Sequence, residues 1–179
     1  MKKIMIITAL IVCFLTGAKA QFYGIKSNAA LLTTGTLNAG LEVAVDKQWS
    51  LDVSGYWNPI KSDNFSSRFW YVQPGARYWL YEHFVGHFAA AHAAYGWYNV
   101  GNNKSDLKGW FTGAGVSYGY TWILTKQWNF TLEGGIGVYY MRDTKYLKEY
   151  DNWSPICVTH YRRWVVAPSK FEASFTYLF

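Results

Sequence analysis

The sequence predicts an all-β fold, an eight-stranded antiparallel up-and-down β-barrel that crosses a membrane. Apolar and polar residues alternate in eight segments after residue 21, which is the period of a strand with two different faces. Aromatic residues make up 20% of the chain, and they favour strands. After residue 20, no apolar run approaches the ~20 residues that a membrane-spanning helix needs. These observations favour a crossing by strands.

The last segment, 171–179, shows the alternation most clearly. Its odd positions read Phe, Ala, Phe, Tyr, Phe, and its even positions read Glu, Ser, Thr, Leu. In a transmembrane barrel the apolar face contacts lipid and the polar face lines the lumen. The ending on Phe179 also resembles the C-terminal signal by which outer-membrane barrels are recognised for insertion. We therefore expect a location in the cell outer membrane, with outer-membrane lipid and, during insertion, the barrel-assembly machinery as partners.

Residues 1–20 have the pattern of a cleaved signal peptide, because a basic start precedes an apolar run and a small-x-small site at Ala18-Lys19-Ala20. The remaining 21–179 are predicted to form a single barrel domain. The leader holds Lys2, Lys3 and Lys19, so 14 of the 17 basic residues remain against 11 acidic ones. They are scattered and form no stripe, so nucleic acid is not expected as a partner.

Eight strands are predicted, at 22–34, 37–46, 49–58, 68–81, 85–99, 109–124, 128–141 and 168–179. Tight turns at 46–48, 81–84 and 125–127 alternate with longer connections at 59–67, 100–108 and 142–167. Short periplasmic turns and longer outer loops are typical of outer-membrane barrels. Two of the turns share a Lys-Gln-Trp core, which predicts that Trp49 and Trp128 lie at the same membrane interface.

Alternation also assigns the two faces of each strand. In the sixth strand Val116 and Tyr118 are expected to face lipid, while glycines such as Gly115 face inward and fit a narrow lumen. Odd positions of the Ala-rich fifth strand are expected to face lipid, which turns His92 inward. Pro74 removes one ladder hydrogen bond from the fourth strand, so we expect a β-bulge at Pro74-Gly75.

The same rule turns most charged and several other polar side chains of the strands inward. They are expected to form a hydrogen-bonded cluster that closes the lumen and comprises Lys26, Asn28, Glu42, Asp52, Gln73, Arg77, His92, Glu133 and Glu172. An Arg or Lys on the lipid face near the midplane would cost ~2–4 kcal/mol, so inward placement has the lower free energy. Two cations among four carboxylates must then share ion pairs.

Four stretches resemble a known family, namely Gly-Ile-Lys-Ser-Asn at 24–28, Val-Gln-Pro-Gly-Ala-Arg-Tyr-Trp at 72–79, Gly-Ala-Gly-Val-Ser-Tyr-Gly-Tyr at 113–120 and the closing Tyr-Leu-Phe. On these motifs the chain is similar to small outer-membrane barrel proteins of the Gram-negative Bacteroidota that are classed as a domain of unknown function. The resemblance implies fold and location and no activity. It also implies a role in the envelope or in surface assembly, with a surface or fimbrial protein as a partner through loop 142–167. The lone Cys157 departs from the Cys pair that is common in that loop.

No catalytic, cofactor or metal site is predicted. A lipid A deacylase would need His and Ser two residues apart on one strand face, and none of the four histidines has such a serine. Loop 142–167 holds candidates for a palmitoyltransferase-like site, but no pair among them has a spacing that dictates mutual geometry: Asp143, Asp151, Ser154 and His160. His83 and His87 flank a turn without a third metal ligand nearby in sequence.

We therefore predict a non-enzymatic protein that is structural or accessory to the envelope and carries no cofactor. Two alternatives from other classes remain open. One is a lipid-modifying outer-membrane enzyme. The other is a soluble lipocalin-like barrel that binds a small apolar ligand, which would need an apolar interior where the alternation predicts a polar one.

Overall fold

The structure, a computed structural model, describes residues 23–62, 65–102, 105–147 and 158–179, and the predicted signal peptide and Cys157 lie outside these ranges. Its eight strands are β1 (Tyr23–Asn28), β2 (Leu37–Asp46), β3 (Trp49–Lys61), β4 (Phe65–Trp79), β5 (Gly86–Asn102), β6 (Ser105–Ile123), β7 (Trp128–Leu147) and β8 (Val158–Leu178). Helix α1 (Ala29–Leu32) lies between β1 and β2. In the described part of the chain, no helix has the length and hydropathy of a membrane span.

The strands form a closed ring. Each strand pairs antiparallel with the next along the chain, and β1 pairs antiparallel with β8. The prediction of eight antiparallel strands in an all-β fold is confirmed. We call the end of the ring with the connections 47–48, 80–85 and 124–127 the turn end, and the opposite end the loop end.

The first predicted strand, 22–34, is too long, because β1 ends at Asn28. The side chain of Asn28 accepts hydrogen bonds from the backbone N–H groups of Ala30 and Leu31, at 3.1 and 3.4 Å. An Asn that satisfies these free donors is a typical helix N-cap. The cap therefore turns the chain from strand into α1.

The predicted long connections 59–67 and 100–108 are also wrong. Regular pairing continues through most of both segments, with Pro59 opposite Arg68 and Val100 opposite Leu107. The same holds for the described parts of 142–167, while 148–157 lie outside the described residues. A ladder is built from backbone hydrogen bonds, so it can continue where the apolar alternation fades.

The predicted facing of the strands is confirmed. Ser117 and Thr121 of β6 are buried while Val116 and Tyr118 are exposed. In β5, His92 is buried and Ala91 and Ala93 are exposed. The alternation extends to β8. Near the turn end of this strand, the residues at even positions are all buried.

No bulge forms at Pro74. The pairs Val72–Tyr95 and Gly75–His92 have the same register. Between them, residues 73–74 of β4 do not pair with β5. A register shift occurs in β8 instead, where Lys170 pairs with Gly135 but Pro168 pairs with the next residue, Ile136. The extra residue, Ser169, reverses the facing of β8, so odd positions turn inward on the loop-end side of the bulge.

Inward glycines of β6 make room for side chains of other strands. A Cβ at Gly119 would collide with the ring of Phe88, and one at Gly115 would collide with His92 and Ser169. The narrow interior is therefore filled by larger residues that reach over glycine backbone.

This packing predicts a large difference between two glycines. Gly119→Val should destabilise the folded state by about 1–3 kcal/mol, because both the Phe88 ring and the backbone carbonyl of Leu132 have to move. The measurement is the urea midpoint at which the folded band of an unboiled gel disappears. Gly134→Val is the matched control, since no atom lies within 4 Å of a Cβ at that position. Equal midpoints for the two variants would show that Phe88 is not packed over Gly119.

Candidate functional site

A cluster of aromatic rings, which we call the aromatic plug, lies in the interior at the turn end. Trp79 and Phe88 are fully buried, with ring centroids 4.7 Å apart, and the ring of Phe84 lies 6.1 Å from that of Trp79. Phe84 has a positive φ of 66°, a strained conformation for a non-glycine residue that is stabilised here by burial of the ring. Asn129 Nδ2 donates to the carbonyl oxygen of Phe84 at 2.9 Å and fixes this turn.

A charged layer lies directly on this plug, and Arg77 is at its centre. The guanidinium donates from Nη1 to Glu42 Oε2 at 2.5 Å and from Nη2 to Glu133 Oε2 at 2.6 Å. It also lies 4.7 Å from the centroid of the Phe88 ring. Its rigid fork thus links a carboxylate of β2 to one of β7, and its planar face stacks on the plug.

Two lysines complete the layer. Lys26 Nζ lies 2.8 Å from Asp52 Oδ2, and Lys170 Nζ lies 3.1 Å from Glu133 Oε1. Glu172 contacts all three cations at longer range, 3.5 Å from Lys26, 3.6 Å from Lys170 and 3.7 Å from Arg77. Among the described residues the layer therefore holds three cations and four carboxylates, and every one of them is buried.

Hydroxyl groups connect the charges to the rest of the interior. Ser50 Oγ donates to Glu42 Oε1 at 2.5 Å and accepts from Trp79 Nε1 at 2.8 Å. Ser117 Oγ donates to Glu133 Oε1 at 2.5 Å and lies 3.5 Å from His92 Nδ1. Buried charges are stable only when such donors satisfy their remaining lone pairs.

All nine residues of the expected cluster are buried, but three of them take no part in the ion pairs. Six of them share the ion pairs described above: Lys26, Glu42, Asp52, Arg77, Glu133 and Glu172. Asn28 instead caps α1 and donates to the carbonyl of Phe171. Gln73 donates to the carbonyl of Ser169, and His92 approaches Ser117.

Lys170 is an inward cation that the expected cluster did not include. It lies two residues before Glu172, so the alternation that placed Glu172 inward also places Lys170 inward. With Lys170 included, the excess of carboxylates over cations in the layer falls from two to one.

The loop-end half of the interior is aromatic, which corrects the expectation of a polar interior throughout. Tyr56 and Tyr71 stack with centroids 4.2 Å apart. The ring of Phe111 lies 6.0 Å from that of Tyr71 and 5.8 Å from that of Tyr139. These rings occupy inward positions that strict alternation identifies.

The candidates for chemistry are not brought together. Asp143 Oδ2 accepts from Arg163 Nη2 at 2.9 Å in the interior, whereas His160 is exposed and its Nδ1 lies 3.0 Å from Thr144 Oγ1. Asp151 and Ser154 lie outside the described residues. No group of three His, Cys, Asp or Glu side chains within the described ranges could hold a metal ion.

One known protein family matches the chain. The model of the protein family of unknown function DUF3575 matches residues 4–179. The chain belongs to this family. No curated protein and no solved structure gives a significant match. Membership in a family of unknown function agrees with the resemblance seen in the sequence and brings no activity with it, so the function has to be inferred from the geometry.

The central position of Arg77 yields a prediction. Arg77→Ala should destabilise the folded state by ~3–5 kcal/mol, because it leaves Glu42 and Glu133 buried without their shared partner. Arg77→Lys should recover part of the loss, since one ammonium cannot donate in a fixed fork to both carboxylates. The readout is again the urea midpoint of the folded band.

Arg142→Ala is the control for this series, because Arg142 is an exposed cation of β7 and surface charges contribute little to stability. An Arg77→Ala midpoint equal to that of Arg142→Ala would contradict a stabilising role for the fork.

Proposed function

We propose that this protein is an outer-membrane β-barrel with a closed lumen, that it has a structural or accessory role in the cell envelope, and that it catalyses no reaction. The observation that carries the proposal is the inverted distribution of polarity. Val116, Ile136 and Phe171 on the outer face are 63%, 63% and 73% exposed, whereas the charged layer is buried inside the ring.

This distribution is unfavourable for a protein surrounded by water. Soluble monomers rarely expose continuous apolar surface, yet large apolar side chains cover the outer face of all eight strands. In a bilayer the same arrangement is favourable, because lipid chains contact the apolar face and the ring encloses the charges. The closed ring also leaves few backbone groups of the turn-end half without a partner, as a hydrocarbon environment requires.

Two aromatic belts support the same environment. At the turn end Trp49 lies 5.1 Å from Tyr78, and Trp128 lies 5.2 Å from Tyr177. Towards the loop end the outer face carries further aromatic residues, Trp57, Trp70, Trp97, Trp110 and Trp164. Trp49 and Trp57 are separated along β3 by ~26 Å at ~3.3 Å per residue, or roughly 20 Å along the axis of a tilted strand. That spacing approaches the ~25 Å of an outer-membrane apolar band.

The filled interior favours a structural or accessory role over transport. The aromatic plug and the charged layer occupy the turn-end half of the lumen. The loop-end parts of β6, β7 and β8 extend past the belt of Trp110 and Trp164, and they provide a surface for a partner on the outside. The resemblance to Bacteroidota envelope proteins suggests a surface or fimbrial protein there, and a Sec signal peptide at 1–20 would deliver the chain.

A charge placed on the outer face distinguishes a membrane protein from a soluble one. Val116 lies midway between Trp110 and Trp122 on β6, so Val116→Arg should destabilise the protein in lipid vesicles by ~2–4 kcal/mol. Val45→Arg, on the outer face beside the turn at 47–48, should cost only ~0–1 kcal/mol because it lies at the interface. Both are measured as shifts of the urea midpoint of the heat-modifiable folded band.

Fractionation of cells completes this experiment. The wild-type chain should sediment with the outer membrane and migrate as a compact band until it is boiled. Recovery of the chain in the soluble fraction, with Val116→Arg as stable as wild type, would refute the membrane proposal.

The closed lumen predicts an absence of ion conduction. Purified protein in a planar bilayer should give no stable open-channel current, because the aromatic plug and the charged layer leave no continuous aqueous path. A Trp79→Ala, Phe88→Ala double variant is the comparison, since it removes two of the three rings of the aromatic plug. Reproducible single-channel steps from the wild-type protein would refute the closed lumen.

A further inference from the structure

The loop-end half of the ring contains a cavity of about 340 Å³ above the charged layer, and this cavity is open to the surroundings. Aromatic and aliphatic side chains dominate its lining, among them Phe69, Tyr71, Phe111, Met141 and Val165, and none of the described side chains that line it is charged. Gln73 and Ser169 form its polar floor, which separates it from Lys170 and Arg77. Its size and lining are those of a site for a small apolar ligand.

The wall of this half of the ring is incomplete. β1 pairs with β8 only over residues 174–178, and the bonds of Asn28 extend the closure to Phe171. On the other side, the pairing of β2 with β3 ends at Trp57. Among the described residues, no strand therefore pairs with the free edge of β8 from 158 to 170. Helix α1 contacts β8 beside this edge. We call the region without strand pairing between this edge and the loop-end part of β3 the lateral seam.

The cavity lies against the lateral seam. The described residues that line it belong to β4, β5, β6, β7 and β8, and none of them comes from β1, β2 or β3. On β8 the bulge at Ser169 is what turns Val165 and Ala167 into the cavity along the free edge. The free edge of β8 also carries Trp164 and Val166, both more than 70% exposed on the outer face.

We propose that this cavity binds one acyl chain, which enters from the side through the lateral seam. The inference rests on the membrane location proposed above, which brings acyl chains to the seam at high local concentration. An acyl chain in the cavity makes van der Waals contacts with the rings of Phe69, Tyr71 and Phe111, and it fills apolar space from which water is displaced. The acyl chain belongs either to a membrane lipid or to a free fatty acid.

Photo-crosslinking tests the proposal on the full chain in lipid nanodiscs. One arm uses palmitic acid with a diazirine in its chain, and the other uses phosphatidylethanolamine that carries the same diazirine chain. Mass spectrometry then locates the adducts after irradiation. We expect adducts on cavity residues such as Phe111 and Met141, in addition to adducts on the outer face at Val116 and Ile136.

A matched pair of variants separates the cavity from the outer face. Ala94 lines the cavity and is buried, while its neighbour Ala93 is exposed on the outer face. Ala94→Trp should fill the cavity and reduce interior adducts to the level without irradiation, and Ala93→Trp should leave them unchanged. If Ala94→Trp fails to fold, the map of adducts on the wild-type chain decides alone.

The outcomes separate the two proposals. Outer-face adducts without interior adducts would overturn the acyl-chain site and leave the membrane location standing. A soluble chain without outer-face adducts would overturn both. Interior adducts in both arms support the site with lipid entering by the seam, whereas interior adducts from palmitic acid alone support the site and overturn entry of a membrane lipid through the seam.

Discussion

The ion pairs of Arg77 are the interaction on which the rest of the interior depends. Through Glu42 and Glu133 this one side chain couples β4 to β2 on one side and to β7 on the other. Lys26 of β1 and Lys170 of β8 are held by the same set of carboxylates, so the strands that close the ring meet in the charged layer. Charges that are buried in this way are stable only when all partners are present, which makes the layer sensitive to the register of six strands at once.

The register shift in β8 determines which of its side chains face inward on each side of Ser169. On the turn-end side of Ser169, even positions face inward and deliver Lys170 and Glu172 to the charged layer. On the loop-end side, odd positions face inward and deliver Val165 and Ala167 to the apolar cavity. A single inserted residue thus allows one strand to serve two interior environments of opposite polarity, because the side-chain period of a strand is two.

The outer face and the interior impose different demands on the same strands. The outer face needs only apolar bulk, and its aromatic residues form pairs such as Trp128 with Tyr177 at the turn end. The interior needs complementary volumes, so inward Gly119 lies under the ring of Phe88 and inward Gly115 under Ser169 and His92. Closure of the described ring is incomplete between the edge of β8 and the loop-end part of β3, and the apolar cavity lies beside this edge.

By itself, the sequence determined the number of strands, their facing and the inward placement of the charged residues, because a period of two is a local property of the backbone. The same rule would have identified Lys170 and the inward tyrosines. Only the tertiary structure decided how far the ladders extend, that Pro74 causes no register shift while Ser169 does, and that a seam separates β8 from the loop-end part of β3. These features depend on backbone hydrogen bonds between different strands. The side-chain pattern of a single strand does not determine its register with the neighbouring strand.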